Sequence, residues 1–195
     1  MGLFLPHAGY RQGDGGVSLT REVDLKLVRS VDDLDVSALR AILRAYMDKV
    51  STDMVELSGI YVDPGSAIEE TLLHLGNYLP PDGAVILAHR SDNLVGCGFL
   101  RRIRPDAAEI KRLFVVPEAR GVGLGGRLVS CIIRRADEMD FRELYLDTAH
   151  FMRDASRLYQ RFGFQMIDRY PENANPPDYA PFLHFMRLRI PQSEV

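Results

Sequence analysis

Four of the six residues at positions 121–126 are glycine, and they stand between a strand-like run and a long amphipathic pattern. Before them, residues 108–116 are mostly apolar and stop at Pro117. After them, Leu124, Leu128, Val129, Ile132, Ile133, Ala136 and Met139 share one helical face. A strand that turns through glycines into a helix leaves the first helical N–H groups unpaired and the positive end of the helix dipole exposed. Such a turn takes an anion, most simply a phosphate, with Arg120 and Arg127 at hand. The plain alternative is a glycine-rich turn that binds nothing.

The rest of the chain alternates strands and helices around this loop. Val23, Leu25 and Leu27 have the period of a half-buried strand. Ser30 or Asp32 is the expected cap of a helix that carries Leu34, Leu39, Ile42, Leu43, Tyr46 and Met47 on one face. A second helix is expected over residues 66–78, stopped by Pro80-Pro81. Residues 84–89 and 94–103 read as a hairpin joined at Ser91-Asp92-Asn93. A strand over 143–148, a helix capped by Asp154 and ended by Gly163, and strands over 164–168 and 182–189 complete the chain. The order β-α-α-β-β-β-α-β-α-β-β is a mixed α/β fold. Residues 1–20, loose and glycine-rich, read as a flexible tail, and residues 21–195 as one domain.

Composition narrows the function classes. With 195 residues, 46% hydrophobic and 26% charged, the chain is ordinary for a globular domain, and its longest apolar runs are strand-length. A membrane span needs about 20 such residues. Leu3-Phe4-Leu5 is too short for a signal-peptide core, so the cytoplasm is the expected compartment. The net charge of −3 argues against a nucleic-acid binder. Two cysteines, Cys97 and Cys131, make neither a disulfide framework nor a zinc site, and His89, His150 and His184 lack metal-ligand spacing, so no metal is expected. Yet residues 101–135 hold nine basic side chains against three acids, the composition of a local site for an anionic ligand.

Two ligands compete for the glycine loop. Gly121, Gly123 and Gly126 satisfy G-x-G-x-x-G, and Asp147 follows at about the 20-residue distance of a ribose-binding acid, which points to NAD and an oxidoreductase. Against that, Pro117-Glu118-Ala119-Arg120 separates strand from glycine, and the unit follows a hairpin instead of opening its domain. The same segment, Arg112 to Gly126, resembles motif A of the GCN5-related N-acetyltransferases (GNAT), with Arg120, Gly123 and Gly125 on its R/Q-x-x-G-x-G/A signature. Further on, Ala155, Leu158, Tyr159, Gly163 and Phe164 resemble that family's A-x-x-L-Y-x-x-x-G-F segment, in the family's order and spacing.

The resemblance covers nearly everything but the tail, and it implies a mixed, mostly antiparallel twisted sheet that splays at the cofactor site. It further implies direct transfer of an acetyl group from acetyl-coenzyme A to a primary amine in a ternary complex. Backbone groups of Leu113, Phe114 and Val115 would bind the acetyl-pantetheine arm. Arg120 and the amides of Gly121, Val122, Gly123, Leu124, Gly125 and Gly126 would hold the pyrophosphate. An N–H near Phe114 or Val115 would stabilise the thioester oxyanion. Tyr159 sits at the family's acid position, and Glu109 where several relatives carry a base acting through water. Met152 departs from the family, which often has Asn there to contact the pantetheine. Acids at Asp48, Asp53, Glu56, Asp63, Glu172 and Asp178 would favour a cationic acceptor, with Tyr46, Tyr61, Tyr170 and Tyr179 as candidate pocket walls. Dimerisation through the last strands, common among relatives, is compatible with the sequence. A non-catalytic acyl-CoA-binding module is the alternative from another class.

Overall fold

The computed structural model describes residues 22–191; the expected tail at 1–20 lies outside the described residues. The elements follow the expected order: β1 (Val23–Val28), α1 (Val36–Ser58), α2 (Pro64–Leu73), β2 (Gly83–Arg90), β3 (Asn93–Arg104), β4 (Ala107–Val115), α3 (Leu124–Glu138), β5 (Glu143–Ala149), α4 (Arg153–Arg161), β6 (Gln165–Ile167) and β7 (Leu183–Arg189). Three helix starts differ from expectation. Asp35 caps α1 by accepting from the Ala38 N–H at 3.0 Å, while Ser30 caps only a short 3-10 turn, Val31–Asp33. Asp63 caps α2, with Pro64 in the first turn where its missing N–H costs nothing. Helix α4 has no side-chain cap at Met152, and Asp154 instead places its charge in the first turn, near the positive dipole end.

The strands form one sheet in the order β1-β2-β3-β4-β5-β7-β6. Every neighbouring pair is antiparallel except β4 and β5, which α3 joins as a parallel crossover. Helices cover both faces. Leu39, Ile42, Leu43 and Met47 of α1 and Ile68 of α2 pack on Val85, Leu87, Cys97, Phe99 and Phe114. On the opposite face, Leu124, Leu128, Val129 and Ile132 of α3 and Tyr159 of α4 pack on Ile86, Leu100, Ile110, Leu146 and Met186. A smaller apolar cluster of Ala107, Tyr145, Tyr170 and Phe185 lies beneath the loop that precedes β7. Among the described residues no helix is long and apolar enough to cross a membrane.

Candidate active site

The sheet opens in its middle. Strands β4 and β5 pair only from Ala107–Glu109 to Glu143–Tyr145, after which β4 bonds to β3 alone and β5 to β7 alone. A bulge lies just beyond the last pair: Arg112 holds φ +52, and the β3–β4 register shifts between Cys97 and Phe99. A non-glycine residue in the left-handed region is uncommon, and bulges bend and twist the strand that carries them. Arg112 is held there by its neighbours. Its Nε donates to Thr71 Oγ1 at 3.0 Å, and its carbonyl accepts from the Cys97 thiol at 3.2 Å. Burial pushes that thiol up to about 12, so it stays protonated. The far end of β4, carrying Leu113, Phe114 and Val115, thus presents one backbone edge to an open wedge.

The glycine loop lies at the end of this wedge, and its glycines have two separate tasks. Gly121 and Gly123 adopt φ of +81 and +78, and Gly123 is the cap of α3. Gly125 serves packing: a Cβ there would lie 3.3 Å from Leu158 Cδ2 of α4, tighter than side chains normally approach. No side chain caps α3, and its first backbone bond runs from the Arg127 N–H to the Gly123 carbonyl. The N–H groups of Leu124, Gly125 and Gly126 lie ahead of that bond, at the positive end of a 15-residue helix. Arg120 folds back onto the end of β4, its Nε on the Val115 carbonyl at 2.9 Å and its guanidinium 5.6 Å from the Phe114 ring. Its terminal amino groups have no partner among the described residues. Arg127, expected beside it, instead donates to the Val23 carbonyl at 2.7 Å and secures β1.

Tyr159 stands on α4. Its ring is 6% exposed and packs edge-on against Phe164 at 5.6 Å. Burial first, then the charges of Tyr46 and Asp147, push the phenol well above its ordinary value. Tyr46 comes from α1, and Asp147 faces the α1 side of the sheet.

On that α1 face a side-chain network fills the closed end of the wedge. Glu109 is completely buried. Arg101 grips its Oε2 through Nη2 at 2.6 Å and Nε at 2.8 Å, Lys111 Nζ lies 3.1 Å from Oε1, and the Tyr170 hydroxyl donates to the same oxygen. Lys111 also reaches Asp147 at 2.7 Å, and Asn173 donates to Asp147 at 2.9 Å and to the Tyr170 oxygen at 3.2 Å. Burial disfavours both charges of the Lys111–Asp147 pair. Their mutual attraction outweighs it, holding the lysine above and the aspartate below their ordinary values. Tyr170 is pushed up by burial and by Glu109.

Several expectations change at this point. The basic stretch at 101–135 is not one patch, because its side chains are tied to separate partners: Arg102 to Asp82, Arg104 to Glu143 and Glu172, Arg134 and Arg135 to Glu138. Four of the six acids expected at the mouth have other partners, Glu172 through Arg104. Asp48 and Asp53 pair with Arg44 and Lys49 one turn away on α1, and Asp63 is a helix cap. Tyr170 is buried on Glu109 and Tyr61 is 65% exposed, which leaves the half-buried Tyr46 and Tyr179 as candidate pocket walls. Sequence reasoning missed Arg101, Asn173 and the link of Lys111 to Asp147, since nothing local joins residues that meet across 36 and 61 positions. The dinucleotide reading fails structurally: a 3-10 turn at Pro117–Ala119 separates strand from glycine, and Asp147 is occupied by Lys111 and Asn173.

The sequence matches the model of the Acetyltransferase (GNAT) family over residues 65–164, a span that contains both the glycine loop and Tyr159. An uncharacterized N-acetyltransferase of Schizosaccharomyces pombe is 29% identical over 170 residues, covering 86% of this chain and 95% of its own. An IAA acetyltransferase of Azospirillum brasilense is 33% identical over 132 residues, covering 67% of this chain and 85% of its own. The crystal structure of PaiA N-acetyltransferase from Thermoplasma acidophilum, in complex with coenzyme A, has the same fold. It matches at a TM-score of 0.60 and 17% identity, over 86% of this chain and 99% of that one.

Proposed function

The chain belongs to the acetyltransferase (GNAT) family, and on that premise we propose that it transfers an acetyl group from acetyl-coenzyme A directly to a primary amine of a small molecule or peptide, in a ternary complex in the cytoplasm. The observation that carries this reading is the open wedge between β4 and β5, with the uncapped N–H groups of α3 at its end. The residues fit the cofactor: Gly123, Gly125 and Gly126 put no Cβ at three of the first four positions of the α3 start, and Arg120 adds a cation at the end of β4. The coenzyme A bound by the Thermoplasma relative supports the same assignment.

Acetyl-coenzyme A supplies the acetyl group as a thioester, whose carbonyl carbon gains a bond to nitrogen as its bond to sulfur breaks. Leu113, Phe114 and Val115 would hold the pantetheine arm along the free edge of β4. Gly121, Val122, Gly123, Leu124, Gly125 and Gly126 would receive the pyrophosphate. An N–H near Phe114 or Val115 would face the thioester oxygen where negative charge develops. Tyr159, protonated across the neutral range, would donate its proton toward the departing sulfur. A free thiol titrates near 8.5. A phenol raised above 10 therefore acts chiefly as a hydrogen-bond donor that completes the transfer only as charge builds on sulfur. Glu109 would take the amine proton. Its carboxylate is sealed behind Arg101, Lys111 and Tyr170, so the proton would reach it through water and not by direct contact.

Calorimetric titration with acetyl-coenzyme A, with NAD as the control, tests the cofactor. Binding of acetyl-coenzyme A alone, at micromolar affinity, is expected. Tyr159→Phe should then lower turnover by about 100-fold, the usual weight of a positioned acid, with acetyl-coenzyme A affinity kept within about twofold. Unchanged turnover would remove Tyr159 from the chemistry. Binding without turnover of any amine would favour a non-catalytic acyl-CoA-binding module.

A further inference from the structure

Asp147 drew notice as a ribose-binding acid, and the acetyl-transfer reading leaves it without a task. It stands on β5 two residues past the last β4–β5 pair, opposite Lys111. Of the two acids on this face of the wedge, Glu109 is sealed, whereas the side chain of Asp147 keeps 15% of its surface exposed. Lys111 and Asn173 both bond to its Oδ1.

Lys111 is shared between two carboxylates, at 2.7 Å from Asp147 and 3.1 Å from Glu109. Glu109 already has a closer cation, since Arg101 Nη2 lies 2.6 Å away. One ammonium therefore serves Asp147 and has a second seat ready on Glu109. An uncompensated carboxylate in a partly buried site is costly, so Lys111 can leave Asp147 only when another cation arrives. A primary ammonium has the same size, charge and three donors as the lysine head.

We propose that Asp147 is the ammonium-binding residue for the acceptor, which enters the wedge protonated and displaces Lys111 onto Glu109. The acceptor class this selects is an aliphatic primary amine, charged at neutral pH, in preference to a neutral aromatic amine. The inference rests on the amine-transfer reading above. It concerns the binding step that precedes proton loss and transfer.

Thiol release from acetyl-coenzyme A tests it, with putrescine, glucosamine and L-lysine amide as acceptors and acetyl-coenzyme A affinity measured alongside. Asp147→Asn should raise the amine KM at least tenfold. Lys111→Met, which removes the competing ammonium, should lower it several-fold, and neither should move acetyl-coenzyme A affinity more than about twofold. A mere strut between β4 and β5 would be cut equally by both substitutions. Shifts in the same direction, or none, therefore overturn the inference. Should Asp147→Asn fail to fold, Lys111→Met alone decides, because only competition with the acceptor lets the loss of a lysine improve KM. If the wild type binds acetyl-coenzyme A yet releases no thiol with any of these amines, the amine-transfer reading itself fails and the inference goes with it. If the wild type turns them over and the two variants do not diverge, the inference alone fails.

Discussion

The α3 side of the wedge offers the unpaired backbone N–H groups of Leu124, Gly125 and Gly126, while the α1 side offers side chains gathered from β3, β4, β5 and the loop before β7. The first wall asks little of its side chains beyond their absence: Gly121 and Gly123 must turn through positive φ, and Gly125 must let α4 approach. The second depends on each charge having its partner, since Glu109 and Asp147 would otherwise be carboxylates stranded away from water. A wall of backbone survives wide changes of sequence but no added Cβ. A wall of paired charges can be retuned one side chain at a time, and each partial change is expensive. This division fits a shared cofactor on one side and a variable acceptor on the other.

The sharpest way to break the comparison is at Glu109. Glu109→Gln leaves Arg101 and Lys111 facing a neutral group, and the loss of stability should be about 3 kcal/mol, read as a lowered midpoint in urea with an unchanged slope. A loss near zero would mean that the network is not what holds this wall. Next comes the backbone wall. Gly123→Val forces a β-branched residue into φ +78, which costs roughly 1–2 kcal/mol. It should weaken acetyl-coenzyme A binding about tenfold by calorimetry while leaving Lys111 and Asp147 in place.

A smaller effect separates two arginines that look alike in sequence. Arg120→Met should weaken acetyl-coenzyme A binding several-fold at low salt, and the difference should shrink as ionic strength rises. Arg127→Met should instead lower stability with affinity unchanged, because its guanidinium holds the Val23 carbonyl. The smallest effect expected is the pH response of the Lys111–Asp147 pair. Asp147 is held below its ordinary value, so its contribution is complete above about pH 4 and fades as pH falls through its own lower value. Lys111 is held above its ordinary value, so its contribution is complete below about pH 10 and fades as pH rises beyond. The stability difference between wild type and Lys111→Met should therefore be flat between these limits and narrow outside them, as thermal melts across pH would record.

The same division explains what could be read from the sequence. Element order followed from periodicity and punctuation: Pro117 ended β4, the alternation at 23–27 announced β1, and the apolar face of α3 repeated every three or four residues. The glycine loop was legible because its function resides in a contiguous segment. Helix starts were less so, because Ser30, Asp32 and Asp35 are all competent caps within six positions and packing chose among them. The charged wall was not legible. Glu109 reads as one acid on a strand, and only the fold brings Tyr170 to it across 61 positions. The surplus of basic residues at 101–135 misled for the same reason, since their partners, such as Asp82, Glu143 and Glu172, lie outside that stretch.

Among the described residues, the ladder that joins the two parts of the sheet is three residues of β4 against three of β5, extended by the Arg142 and Glu143 N–H groups on the Asp106 carbonyl. The molecule is therefore two smaller sheets, β1 to β4 and β5-β7-β6, held at one end by a short seam and clasped by the helices. Whatever enters the open end and bonds to both edges takes the place of the strand that is missing. Folding and binding then become one linked equilibrium. Occupancy at 100 times the dissociation constant would add about 2.7 kcal/mol to the stability of the whole chain, and the ligand would serve the fold as a mortise serves a joint.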